Sequence, residues 1–289
     1  MSNNCNHDCE NCASKCEENT SCSHDCSHCS EHCSSKIEPA TPLPSTKIKK
    51  IIGVLSGKGG VGKSLISSLL AIELTKRGYH VGIMDGDITG PSIAKVFDRN
   101  VELIGDNEGI VPAVSSLGIK MISVNMMLEN EDVPLLWRGP MLGSIIKQFY
   151  TEVYWEDLDY LIIDMPPGTS DVAISIIQDI PVDGFVMVTS PSKLVSMIVG
   201  KAINMTKQVN KEIYGIVENM AYVKCPDCGR EIDIYGEDST AETAKKYGLE
   251  VLAKLPLDPE LANLADNGKI EDYEDNYLEK LVDKITESK

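Results

Sequence analysis

The sequence predicts an α/β protein, a doubly wound and mostly parallel sheet preceded by a cysteine-rich N-terminal extension. Three observations predict it. From Ile48 onward, short apolar runs alternate with helical patterns, the rhythm of consecutive βαβ units. Between the first run and the first helical pattern stands Gly57-Lys58-Gly59-Gly60-Val61-Gly62-Lys63-Ser64, which fits the phosphate-binding spacing G-x-x-x-x-G-K-[ST]. Carboxylates follow the ends of later runs, where sheets of this kind bind ligands.

Taken in order, Lys50–Leu55 is the first strand, as apolar as a strand buried on both faces must be, and Val61–Arg77 is the helix leaving the loop. Further strands are expected at His80–Met84, Lys120–Val124, Tyr160–Ile163, Gly184–Val188, Glu212–Val217 and Glu250–Lys254. Helices are expected at Gly139–Val153, Asp171–Asp179, Ser192–Gln208 and Ser239–Tyr247. In the last stretch, Leu278, Leu281, Val282 and Ile285 keep helical spacing among Glu and Asp residues. A membrane-surface helix would be basic on its polar face, so this one should pack on the domain. Residues 1–36 form a polar segment with eight of the ten cysteines and four of the five histidines. Residues 37–47, with Pro39, Pro42 and Pro44, read as an extended linker, and residues 48–289 as the domain.

The formal charge of −17 excludes whole classes of partner. Nucleic-acid binding rests on Lys and Arg neutralising phosphates, and an anionic membrane surface selects the same residues. No apolar run is long enough to span a membrane, and the start of the chain lacks the basic-then-apolar layout of a secretory signal. A cytoplasmic location is expected. In that reducing compartment the ten cysteines are metal ligands or redox groups rather than structural disulfides.

A loop of the Gly57–Ser64 pattern wraps backbone N–H groups around a triphosphate, here those of Gly57, Lys58, Gly59, Gly60, Val61, Gly62, Lys63 and Ser64. Lys63 would reach the β- and γ-phosphates, and the Ser64 hydroxyl would hold Mg²⁺. Asp85–Ser92 and Asp164–Asp171 place carboxylates at strand ends facing that loop. Hydrolysis requires one carboxylate in the Mg²⁺ shell and another group to orient water, so Asp87 and Asp164 are the candidates. Asp85 is left without a role, and Asp171 reads equally well as a helix cap. Asn219 and Pro256-Leu257-Asp258 fall where a base would be read; an asparagine steadying a turn is the alternative for Asn219.

Cys225-Pro226-Asp227-Cys228-Gly229 is a second chemical signal. Two thiolates at this spacing chelate one soft metal centre, yet no Cys or His lies downstream and the nearest upstream is His80. Half a site makes sense if a second copy supplies the other half, and four thiolates would suit a bridging [4Fe–4S] cluster. Half a zinc ribbon, or a redox pair, is the alternative. At the other end of the chain, Cys5, Cys9, Cys12 and Cys16 recur 17 positions on as Cys22, Cys26, Cys29 and Cys33. Their offsets would put the thiols of each arm on one helical face. Antiparallel folding at Glu17–Ser21 would then oppose Cys5 with Cys33, Cys9 with Cys29, Cys12 with Cys26 and Cys16 with Cys22. That is a hairpin with up to two four-thiolate metal sites; a zinc-buffering or thiol-rich disordered tail is the alternative.

Lys58, the extra lysine after the first glycine, resembles the signature lysine of the deviant P-loop ATPases that dimerise on nucleotide. The core as a whole is similar to the Mrp/ApbC/Nbp35 iron–sulfur carrier ATPases. The likeness runs from about Lys49 to Leu264 and includes Trp137-Arg138-Gly139-Pro140-Met141, Leu158-Asp159-Tyr160, Glu218-Asn219-Met220 and Cys225–Cys228. It departs at Glu237-Asp238-Ser239, where the family continues with glycines, and in the spacing of the N-terminal cysteines. The resemblance implies a homodimer that hydrolyses ATP, with Lys58 reaching the partner's nucleotide, Asp164 supporting Mg²⁺ and Asp87 positioning water. It further implies a Gly168 N–H near the γ-phosphate, Asn219 on the base, and Cys225 and Cys228 bridging a [4Fe–4S] cluster destined for apo client proteins. Rival readings are a surface-partitioning ATPase, an electron-transferring ATPase like nitrogenase iron protein, and a zinc-stapled nucleotide-binding adaptor.

Overall fold

A computed structural model describes residues 39–88, 90–98, 103–106, 109–127, 139–191, 195–234 and 239–288. The N-terminal cysteines, Trp137-Arg138 and Glu237-Asp238 lie outside these residues. In chain order the first half holds β1 (Lys47–Ser56), α1 (Lys63–Lys76), β2 (Val81–Asp85), α2 (Ile93–Val96), β3 (Ile104–Gly105), β4 (Ile110–Val111), β5 (Ala113–Val114), β6 (Lys120–Ile122) and α3 (Gly139–Thr151). Next come β7 (Asp157–Asp164), α4 (Asp171–Asp179), β8 (Gly184–Thr189), α5 (Val195–Gln208) and β9 (Glu212–Glu218). The remainder is β10 (Val223–Lys224), β11 (Glu231–Ile232), α6 (Ser239–Tyr247), β12 (Val251–Lys254), α7 (Pro259–Asp266) and α8 (Glu279–Glu287).

Eight strands form one sheet in the order β12-β9-β8-β1-β7-β2-β6-β5. The seven strands expected from sequence are its parallel members, and β5 closes one edge antiparallel to β6. Side chains alternate across each strand, and both sides are buried. Ile52 and Val54 of β1, Ile162 of β7 and Val186 of β8 enter the core beneath α1, α2, α7 and α8. Ile51, Leu55, Ile163 and Phe185 enter the core beneath α3, α4, α5 and α6. Leu281, Val282 and Ile285 seat α8 on the domain. Within the proline-bearing stretch, the Ala40 N–H donates to Asp179 O at 2.7 Å and the Thr46 N–H to Leu43 O at 2.8 Å.

Parallel strands end together at one edge, so β1, β2 and β7 deliver the phosphate loop, Asp85 and Asp164 to the same crevice. Asp85 and Asp164 are register partners on β2 and β7. No helix among the described residues is long and apolar enough to cross a membrane.

Candidate functional site

The loop from β1 to α1 is shaped for a phosphate chain. Gly60 and Gly62 sit at φ +78° and +79°, a conformation that glycine alone adopts without strain. Gly62 caps α1 with no side chain bonded to the helix end, leaving first-turn N–H groups for an anion. Lys63 is 6% exposed, its Nζ 2.8 Å from Asp164 Oδ2 and 3.7 Å from Asp87 Oδ2. Neither contact has hydrogen-bond geometry, so the buried ammonium has unspent donors among the described residues. A buried cation with unspent donors beside an uncapped helix start fits a polyphosphate.

Asp164 is fully buried, and both of its oxygens are taken. Oδ2 accepts from Ser64 Oγ at 2.5 Å and Oδ1 from Ser67 Oγ at 2.7 Å. Ser67 was missed in the sequence, although its spacing puts it one turn past Lys63 and Ser64 on the same helix face. Asp85 also gains a role. Its carboxylate accepts from the N–H groups of Asp87 at 3.1 Å, Ser92 at 3.1 Å and Ile93 at 3.2 Å, and from Ser123 Oγ at 3.0 Å. It therefore anchors both ends of the loop that carries Asp87. Burial pushes its pKa up to about 7; nearby Asp164 adds to the rise and Lys63 opposes it.

The other predicted residues lie around this centre. Lys58 is partly exposed, and its carbonyl accepts from Ser56 Oγ at 3.0 Å. Gly168, at φ +75°, donates its N–H to Ser56 O at 2.8 Å. Asn219 is 2% exposed, and its Nδ2 donates to Val61 O at 3.0 Å, bracing the phosphate loop from β9. The capping role open to Asp171 falls instead to Ser170, whose Oγ accepts from the Ala173 N–H at 3.3 Å. Asp258 is spent capping α7, accepting from the Glu260 N–H at 2.8 Å.

Cys225 and Cys228 occupy the turn of the β10–β11 hairpin, six residues beyond Asn219. The Cys225 N–H donates to Arg230 O and the Gly229 N–H to Cys225 O, each at 2.9 Å; Gly229 takes φ +70°. N–H groups of Cys228 and then Asp227, followed by the Cys228 side chain, hold the Cys225 thiol below its usual pKa. Donors converging on a sulfur stabilise its thiolate, the form that binds metal. Among the described residues no group of three or more His, Cys, Asp or Glu side chains is placed to hold a metal ion. The two thiols are half a ligand set.

A strand, a glycine loop and a helix around a buried lysine, with aspartates at the carboxyl edge of a parallel sheet, define a P-loop NTPase. Known proteins narrow the class. A family model described as the NUBPL iron-transfer P-loop NTPase, within the ParA group, matches residues 47–288. An iron–sulfur cluster carrier protein of Clostridium perfringens is 43% identical over 244 residues, covering 81% of this chain and 86% of that one. Another from Saccharolobus solfataricus is 46% identical over 224 residues, 77% of this chain and 76% of that one. Among solved structures, a nucleotide-binding protein from Archaeoglobus fulgidus in complex with ADP superposes with a TM-score of 0.73 at 40% identity, covering 80% of this chain and 91% of that one. The cell division ATPase MinD of Pyrococcus furiosus, at 20% identity and a TM-score of 0.56, shares the fold over 82% of this chain and 98% of its own. The chain belongs to the NUBPL iron-transfer P-loop NTPase family.

Proposed function

We propose that the chain is an ATP-dependent carrier that holds a [4Fe–4S] cluster between two copies of itself and passes it to apoproteins in a reducing cytoplasm. The observation that carries this reading is the Cys225–Cys228 turn. It is a thiol pair with N–H donors aimed at sulfur and no third ligand among the described residues, on a chain with a phosphate loop. Two such turns supply the four thiolates a cluster needs. Relatives named iron–sulfur cluster carrier proteins support it.

ATP would lie along Gly57–Ser64, with the unspent donors of Lys63 facing its β- and γ-phosphates. Mg²⁺ would be held by Ser64 Oγ with Asp164 behind it, and would supply neutralisation of the phosphates' negative charge. Asp87 orients the attacking water on a loop fixed by Asp85. Gly168 meets the γ-phosphate only by releasing Ser56 O, so nucleotide arrival moves the segment after β7. Asn219 contacts the base only by releasing Val61 O. Lys58, at the mouth of the loop, reaches the partner's nucleotide in the homodimer. Transfer moves the cluster intact: client thiolates replace Cys225 and Cys228, no electron changes hands, and the released thiolates take protons from water. The cysteines at 5, 9, 12, 16, 22, 26, 29 and 33 serve as an accessory metal site.

Anaerobic loading with iron and sulfide tests the reading. Intact protein is compared with Cys225→Ser/Cys228→Ser and with a variant that has serine at all eight N-terminal cysteines. About four irons per dimer in the N-terminal variant, lost when Cys225→Ser/Cys228→Ser is added to that variant, is the expected result. Zinc alone at the hairpin would favour the adaptor reading, and reversible reduction without cluster loss the electron-transfer reading.

A further inference from the structure

The hydroxyl of Ser56, the last residue of β1, has no part in the steps above, yet it joins the two segments that would meet a terminal phosphate. Ser56 is fully buried. On one side its backbone keeps register with Val188 of β8. On the other, the rungs from β1 continue onto the chain leaving β7, where the Met165 N–H donates to Val54 O at 3.1 Å and the Gly168 N–H to Ser56 O at 2.8 Å. The side chain turns to the phosphate loop instead, and its Oγ donates to Lys58 O at 3.0 Å. A buried hydroxyl has to place its proton. This one places it on the turn that carries the extra lysine.

That bond orients more than one carbonyl. In a trans peptide the C=O and the N–H that follows it point in opposite directions. Tying Lys58 O to Ser56 Oγ therefore turns the Gly59 N–H away from the strand end, and it fixes the ψ angle of Lys58. Packing does not hold the same peptide. A Cβ at Gly59 or Gly60 would meet no described atom within 4 Å, and glycine rotates with little steric restraint. Without the hydroxyl, the Lys58–Gly59 peptide would be free to swing its carbonyl oxygen towards an incoming phosphate, and the Lys58 side chain would lose its aim.

We infer that Ser56 is a positioning residue for nucleotide hydrolysis and acts through Lys58. Its hydroxyl holds the Lys58–Gly59 peptide so that the lysine leaves the loop in one direction, while its carbonyl keeps Gly168 in place until a γ-phosphate takes that N–H. This deepens the reading above and rests on its role for Lys58. The buried strand end is the fixed point from which both segments hang, so the lysine keeps its aim when Gly168 lets go. The other end of the loop has its own supports, the Asp164 carboxylate beside Lys63 Nζ at 2.8 Å and the first turn of α1. Ground-state binding of a diphosphate therefore does not depend on Ser56. Alignment of this kind counts in the transition state.

The test uses the full chain as wild type, Ser56→Ala, Lys58→Ala and the double variant. ATP turnover, KM and affinity for a fluorescent ADP analogue are measured on each, with melting temperature as the control for folding. Ser56→Ala is expected to lower kcat roughly tenfold, as a misplaced group does, with KM and ADP affinity within about twofold of wild type. Because Ser56 acts through Lys58, the double variant should turn over no more slowly than Lys58→Ala alone. A Ser56→Ala variant with wild-type kcat, beside a slow Lys58→Ala, overturns this inference and leaves the role of Lys58 standing. So does a double variant in which the two losses multiply, since Ser56 then acts elsewhere. A matching fall in ADP affinity overturns it too, because the loop itself has collapsed. Lys58→Ala that hydrolyses ATP at the wild-type rate removes the role given to Lys58 above, and this inference with it.

Discussion

At the phosphate loop Lys63 is 6% exposed and both oxygens of Asp164 are already engaged, whereas at the hairpin Cys228 is exposed and Cys225 only partly covered. The first site has its charges buried and aimed before any ligand arrives, which strengthens each interaction in a low dielectric. The second is assembled only to the point where another molecule must complete it. The contrast follows from what each must do. On the proposed carrier reading, a polyphosphate would be bound and cut among charges already set in place, while a cluster that must leave would have to remain reachable by foreign thiolates.

The comparison is sharpened most by removing one site while reading the other. Replacing Cys225 and Cys228 with serine is expected to abolish iron at the hairpin while nucleotide affinity, followed by a fluorescent ATP analogue, stays within about twofold. Lys63→Ala is the converse: ATPase activity should fall roughly a hundredfold or more, as loss of a preorganised charge does, with iron loading retained. If Lys63→Ala also empties the hairpin, the two regions are not separable and the contrast fails.

Asp85 offers a smaller, pH-dependent test. Its folded-state pKa is raised from 3.8 to about 7, so the folded protein keeps a proton that the unfolded chain releases. That contribution is complete below the ordinary value and is lost as pH rises towards about 7. In nucleotide-free protein, wild type should therefore lose roughly 1–3 kcal/mol relative to Asp85→Asn over that window, by denaturant midpoints. A pH-independent difference would mean that its N–H donors keep Asp85 ionised throughout. Smallest is Ser170→Ala, which removes the α4 cap and should cost about 1 kcal/mol in thermal unfolding.

Much of the architecture was legible because it rests on periodicity. The helices at Asp171–Asp179 and Ser239–Tyr247 have the expected bounds, and the parallel strands differ by a few residues. The strand β1 starts earlier than its expected Lys50–Leu55 run because Lys47 and Ile48 continue the ladder with Asp157 and Leu158 of β7. There Lys49 pairs with Asp159 at 2.6 Å. The two-residue strands β3, β4, β5, β10 and β11 are too short to leave a period. The helix α7 did carry a signal, an aspartate cap followed by proline, which was passed over. In the site, glycines and lysine at fixed spacing announce themselves. The tie between Asp85 and Ser123 joins two strands far apart in sequence, and nothing local betrays it.

The packing of Asn219 against Gly62 has a consequence for inheritance. A Cβ at position 62 would lie 2.2 Å from Asn219 Nδ2, and the same amide holds the carbonyl of Val61. Any lineage that placed a side chain at 62 would push the Asn219 amide aside and lose the brace. It would also carry roughly 1 kcal/mol of strain from the left-handed backbone. A lineage that enlarged 219 first would meet the same wall from the other side. The two positions, 157 residues apart, are thus coupled, and a change at either is felt at the other.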